Sequence, residues 1–218
     1  MAMWRGVAAM RLVPAGRSVL RNCTWRQLAG ACSLGMLLLL THGAVAAEDP
    51  RKAVKRLSDG RIEVSSRPYP GTDVRMGHAQ AIIDAAPNRV LAVVVDYSRY
   101  AEFMPHFKVS RVLAQRGPKA IVYLQAGILK DTVTIWAQLK VEASKQHGST
   151  DVIEARMTKG NIEHMTARWE LTPLDEKHTL VSFQFLIDPD LPVPSSLVTN
   201  ENVKASRRAV AALRRRLM

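Results

Sequence analysis

From Val109 onward the chain alternates between apolar and polar residues. Val133, Ile135, Ala137, Leu139 and Val141 take turns with Thr132, Thr134, Trp136, Gln138 and Lys140, the period-two pattern of a strand with one buried face. Ile153, Ala155 and Met157 repeat it, then Met165, Ala167, Trp169 and Leu171, then Val181, Phe183, Phe185 and Ile187. Two more strand runs, Val109–Gln115 and Ala120–Ile128, come before them. Turn residues separate the runs at Arg116-Gly117-Pro118, His147-Gly148-Ser149, Lys159-Gly160-Asn161 and Asp175-Glu176-Lys177. Strands joined by such short turns predict an antiparallel meander with one face on a core.

Upstream, Arg75–Asp84 reads as a strand. Pro87 and Asn88 start a helix through Val95, with Asp84 as its cap; the β-branched run Val93-Val94-Val95 makes strand the rival reading. Tyr97–His106 reads as a short helix or turn, stopped at Pro105. After the last strand, Pro189, Pro192 and Pro194 break the chain and a long helix begins. On it, Thr199, Val203, Ser206, Val210, Leu213 and Leu217 follow at steps of three and four and form one stripe. Only the last two are large, which predicts a helix roofing a cavity. The order of strand, helices, about six strands and a long helix defines an α+β fold. The expected architecture is a curved antiparallel sheet of about six to seven strands wrapped around the C-terminal helix.

Composition changes this picture at the N-terminus. Residues 1–47 carry five arginines and no acid, then the apolar run Leu28–Leu40, then Ala44-Val45-Ala46. That order predicts a secretory signal peptide and export, to a periplasm; a mitochondrial transit peptide is the alternative. Thirteen residues fall short of the roughly 20 that span a bilayer. Both cysteines, Cys23 and Cys32, lie in this segment, so a cleaved chain has no disulfide or thiolate chemistry. Five of the 31 basic residues and none of the 19 acids lie there, which leaves +7 on the rest. That charge favours anionic surfaces; Lys204, Arg207, Arg208 and Arg214–Arg216 read as a solvated face that complements the dipole at the helix C-terminus, with transient docking to an anionic membrane surface as the alternative. No nucleic-acid motif accompanies it. Residues 48–73 read as a polar lead-in with a short strand at Arg61–Ser65, and 74–218 as the folded domain.

Three stretches carry a family resemblance. Asp96, Tyr100, Phe103 and Pro105 fit a D-x-x-x-Y-x-x-F-x-P segment. Gly160, followed by Trp169-Glu170-Leu171-Thr172-Pro173-Leu174, fits a glycine and then W-x-(L/F)-x-P-L. Asp188-Pro189, Pro194, Leu197-Val198 and Asn200 fit a third spacing. In this order they resemble the START-like (SRPBCC) superfamily of the helix-grip fold, which includes polyketide cyclase and coenzyme-Q-binding branches. The resemblance covers roughly residues 74–218. It implies a pocket between sheet and helix for a lipid, sterol, quinone or polyketide.

The expected cavity lining is Ile135, Ala137, Leu139, Ala155, Met157, Met165, Ala167, Phe183 and Phe185 from the sheet. Thr199, Val203, Ser206 and Val210 from the helix face them. Small residues recurring on adjacent strands leave room, and apolar pockets with few polar groups take lipidic ligands. Loops near Met104–His106 and Leu191–Val193 are the expected entry. The leading reading is a domain that binds, and transfers, a hydrophobic small molecule. The alternative is a cyclase or aromatase type of enzyme, which needs a titratable group in the pocket; Arg156 or Glu163 pointing inward would supply one. A third reading is an interaction module with a collapsed pocket. No catalytic motif, cofactor motif or paired metal-ligand histidines stand in the sequence. Asp188 reads as a turn cap or ion-pair partner and Asp96 as the tie after its helix.

Overall fold

The computed structural model describes residues 50–128, 132–146, 149–189 and 192–218. The leader read over 1–47, the turn residues His147 and Gly148, and Leu191 lie outside the described residues. Among the described residues, eight strands form one antiparallel sheet: β1 (Glu63–Arg67), β2 (Met76–Ile83), β3 (Phe107–Arg116), β4 (Lys119–Ile128), β5 (Val133–Gln146), β6 (Thr150–Gly160), β7 (His164–Pro173) and β8 (Thr179–Asp188). Their spatial order is β1-β2-β8-β7-β6-β5-β4-β3. The helices are α1 (Pro50–Leu57), α2 (Pro87–Val95), α3 (Tyr100–Phe103, entered through a 3-10 turn at Tyr97–Arg99) and α4 (Ser195–Leu217). This is the expected α+β sheet around a C-terminal helix, with eight strands where six to seven were expected.

Alternation predicts the inward face well. On β5, Ile135, Ala137, Leu139 and Val141 are buried, while Thr134 and Lys140 are exposed. The register carries this across the sheet, with Leu139 opposite Val122 on one side and Met157 on the other. Trp136, on the outward face, stacks on Tyr123 with ring centroids 6.0 Å apart. Farther along that face, Arg168 pairs with Glu154 and, at 2.8 Å, with Glu170.

Residues 50–73 are more than a lead-in. Ala53 and Leu57, one helical turn apart on α1, are buried against Leu180 of β8 and beside Ile82 of β2. Arg51, Lys52, Lys55 and Arg56 hide this helix in the sequence, because an eight-residue helix needs only two inward residues. β1, near the expected Arg61–Ser65, pairs with β2. Beneath α1, His78 joins Ser65 (3.2 Å) and Ser182 (2.9 Å) across three strands. α2 has the expected range, but its N-cap is Ala86, without a side-chain bond, and Asp84 is exposed.

The long helix lies on β2 and β8. Gly77 of β2 allows the approach: a Cβ there would fall 2.2 Å from the Asn202 carbonyl oxygen. Two positions beyond Gly77 and Phe185, the last pair in the β2–β8 ladder, the register would set Arg75 opposite Ile187. Asn202 takes that rung. Its amide accepts from the Ile187 N–H (3.1 Å) and donates to the carbonyls of Ile187 (3.1 Å) and Arg75 (3.3 Å). At the other end, Arg214 donates to the carbonyls of Gly60 (2.9 Å) and Ile82 (3.0 Å), and Arg216 pairs with Glu102 at 3.0 Å. Two of the three terminal arginines thus fasten the helix down.

Candidate functional site

Two adjoining chambers lie between the sheet and α4. The inner one has a volume of about 90 Å³ and takes its lining from six strands, β3 to β8, and from α4. Such a lining requires the sheet to curve around the helix. The outer chamber, of about 480 Å³, runs between the end of β4, the end of β8 and the first half of α4. Phe107, Phe185 and Ala205 border both. The outer volume lies within the roughly 300–1,000 Å³ common for small-molecule sites.

Aromatic rings dominate the inner walls. Trp169 and Phe183 are register partners on β7 and β8, and their rings stack at 3.9 Å. Phe185 continues the stack at 5.8 Å. Opposite strands contribute aliphatic groups such as Val122, Leu139 and Ile153. Alanines at 155, 167, 205 and 209 leave the space, since larger groups there would close it.

Two phenols, of Tyr97 and Tyr100, border the inner chamber. Tyr100 donates its hydroxyl to the Val94 carbonyl at 2.5 Å. Burial pushes its ionisation well above the usual tyrosine value, with smaller contributions from Tyr97 and Asp96. Burial also pushes Tyr97 up. Both phenols stay neutral at physiological pH. A proton held more tightly in the folded state stabilises the fold fully below the ordinary value of 10.0, and that contribution is lost as pH rises through the folded-state value. Alkaline titration followed by phenolate absorbance is therefore expected to show Tyr97 and Tyr100 ionising late, together with loss of the fold. A native protein in which Tyr100→Phe removes a phenol titrating at the ordinary value would contradict this.

The sequence-based lining divides three ways. Leu139, Ala155, Met165, Ala167, Phe183 and Phe185 line the inner chamber. Ile135, Ala137 and Met157 are on the inward face but border neither chamber; Ala137 and Met157 pack into the core. The four helix residues are corrected: their stripe packs on the sheet and in the core and borders neither chamber. Thr199 accepts the Arg75 N–H at 2.9 Å, and Ser206 donates back to the Asn202 carbonyl at 2.9 Å. Val203 sits where α4 crosses Gly77, and Val210 is fully buried in the core. The roof is the neighbouring stripe of Val198, Ala205 and Ala209.

Of the expected entry residues, Met104 and Pro105 border the inner chamber and His106 and Val193 the outer one. Sequence reasoning missed Tyr97, Tyr100, Phe107 and Ala205 as lining, although Tyr100 already stood in a motif. Arg156 and Glu163 are exposed. Asp188 accepts the Thr72 hydroxyl at 2.6 Å and so ties the end of β8 to the segment before β2, while Asp96 accepts that of Ser98 at 2.8 Å within its own turn. Among the described residues, no group of three histidines, cysteines or carboxylates is placed to hold a metal.

Residues 83–214, more than half of the chain, match the family model described as polyketide cyclase / dehydrase and lipid transport. No curated protein sequence matches. Among solved structures, a STAR-related lipid transfer protein fragment from Xanthomonas axonopodis shares 21% identity. It covers 72% of this chain and 93% of its own, with a TM-score of 0.64. Human StAR-related lipid transfer protein 5 shares 13%, covering 73% and 82%, at 0.64. The Zhui aromatase/cyclase of Streptomyces sp. R1128 shares 15%, covering 72% and 97%, at 0.51. At these identities the solved structures speak for the fold, the START helix grip. The family match and the fold agree with the apolar, two-chambered space beneath α4, and this chain belongs to the polyketide cyclase / dehydrase and lipid transport family.

Proposed function

We propose that the protein is an exported carrier that holds one hydrophobic small molecule, a lipid, quinone or similar compound, between the sheet and α4. The observation that carries this reading is the pair of adjoining chambers, the inner walled by aromatic and aliphatic side chains and the outer mostly by apolar ones. Ligand surface leaving water there gains roughly 25 cal/mol per Å². The phenols of Tyr97 and Tyr100, which border the inner chamber, are held neutral by burial, which suits an apolar ligand. Export rests on the order of basic, apolar and small residues over 1–47. Arg207 and Arg215, on the exposed side of α4, are the residues to meet anionic headgroups during ligand exchange.

Native mass spectrometry of the protein purified from its own cells tests the reading. The expected result is a near one-to-one complex that releases a hydrophobic compound on organic extraction, from a chain lacking its first 46 or 47 residues. A bare mass, with no uptake from a lipid and quinone panel, would refute the carrier. An intact N-terminus would refute the export. Ala205→Trp places a large side chain where the chambers meet and is expected to weaken uptake at least tenfold while the protein stays folded.

A further inference from the structure

The geometry points to a ligand with one alkyl chain and an anionic head, the head held by Arg208 and His106. This inference rests on the carrier reading and sharpens it.

Size comes first. The outer chamber, at about 480 Å³, falls within the roughly 300–1,000 Å³ of sites that hold one small molecule, and the inner one adds about 90 Å³. That suits one long chain with a compact head. The walls agree. Ile128, Ile187, Val193, Leu197 and Val198 give the outer chamber an aliphatic surface. The ring-lined inner chamber admits only the tip of a chain.

Charge comes second. Arg208 and His106 both border the outer chamber, with Arg208 Nη1 at 3.3 Å from His106 Nε2. Glu201 borders it too, but its nearer partner is Lys204 at 2.7 Å, against 3.9 Å for Arg208. Lys204 offsets Glu201, and Arg208 leaves the rim with an excess positive charge. A guanidinium has five N–H donors, and its fork matches the two oxygens of a carboxylate or phosphate. The backbone supports the same site. His106 has a φ of 68°, a left-handed conformation that a side chain seldom adopts and that concentrates at ligand sites. Its carbonyl accepts the Gly127 N–H at 3.0 Å, which fixes the turn against β4. The imidazole is thereby held at the rim next to the guanidinium.

The test uses the protein stripped of its co-purified ligand and three probes: palmitate, hexadecanol and dipalmitoyl phosphatidylcholine. Palmitate is expected to bind one per chain, about tenfold to a hundredfold tighter than hexadecanol, as a charge-assisted hydrogen bond implies. Arg208→Gln should erase that difference by weakening palmitate alone, and Arg208→Lys should restore part of it. Unchanged hexadecanol binding by the variants shows that the chamber is intact. Palmitate keeping its advantage in Arg208→Gln, or showing none in the parent protein, would overturn the head-group assignment and leave the carrier reading standing. The two-chain lipid binding as well as palmitate would overturn the single-chain assignment. Failure of all three probes, with nothing co-purified, would overturn the carrier reading itself.

Discussion

Gly77→Ala is expected to lower stability by about 3 kcal/mol, the upper end of ordinary overpacking costs. Two effects compete. Gly77 lies in a strand, outside the left-handed region, so alanine there would normally stabilise by about 0.4–1 kcal/mol through the unfolded chain. The added Cβ, however, falls 2.2 Å from the Asn202 carbonyl oxygen and 2.6 Å from the Val203 nitrogen. Both are backbone atoms of a helix and cannot rotate away, so α4 must lift from β2. At roughly 2–4 °C per kcal/mol, the melting temperature should fall by about 6–12 °C. A variant that melts with the parent would mean that helix and strand do not approach this closely.

The second large effect is expected at Asn202. Asn202→Leu preserves bulk but leaves the Ile187 N–H and two carbonyls, of Ile187 and Arg75, without the partner they have now. Each unsatisfied buried group costs about 1–3 kcal/mol, and partial access of water lowers the sum, so a loss of about 3 kcal/mol is expected in urea unfolding. Asn202→Asp separates this account from simple packing. The substitution keeps the shape and one acceptor but turns a carboxylate toward two carbonyl oxygens, which raises its folded-state pKa. Its deficit relative to the parent should therefore be largest near neutral pH and shrink as pH falls and the carboxyl regains a proton to donate. A deficit independent of pH would show that the two carbonyls do not depend on the Asn202 amide.

Asn202 also shows where sequence reading stopped. Strand alternation identified the inward residues of β5, β7 and β8, because each has water on one side and a core on the other. It failed for the helix. Thr199, Val203, Ser206 and Val210 form a regular stripe, and so do Val198, Ala205 and Ala209, one position around. Which stripe meets the sheet is decided by Gly77 and Asn202, and their effect depends on strands far away in sequence. Small residues mean close backbone contact in the first stripe and open space in the second, and composition alone does not separate the two. α1 was hidden for a different reason: its two buried residues, Ala53 and Leu57, are outnumbered by four basic ones. The motif residues Tyr100 and Phe103 indicated the family correctly, while the exposure of Arg156 and Glu163 became clear only in the folded sheet.

The two ends of the sheet differ in mechanical freedom, and α1 is the cause. β2 and β8 are buried almost throughout, with α1 outside and α4 inside. β3 is largely exposed, and the outward residues of β5 and β6 are mostly polar. A layer packed on both sides cannot shift without opening a void, whereas a layer with solvent behind it can. The sheet is thus clamped along one margin and compliant along the other. Any widening of the space beneath α4 falls to the β3–β6 wall, while the clamped margin holds α4 in place.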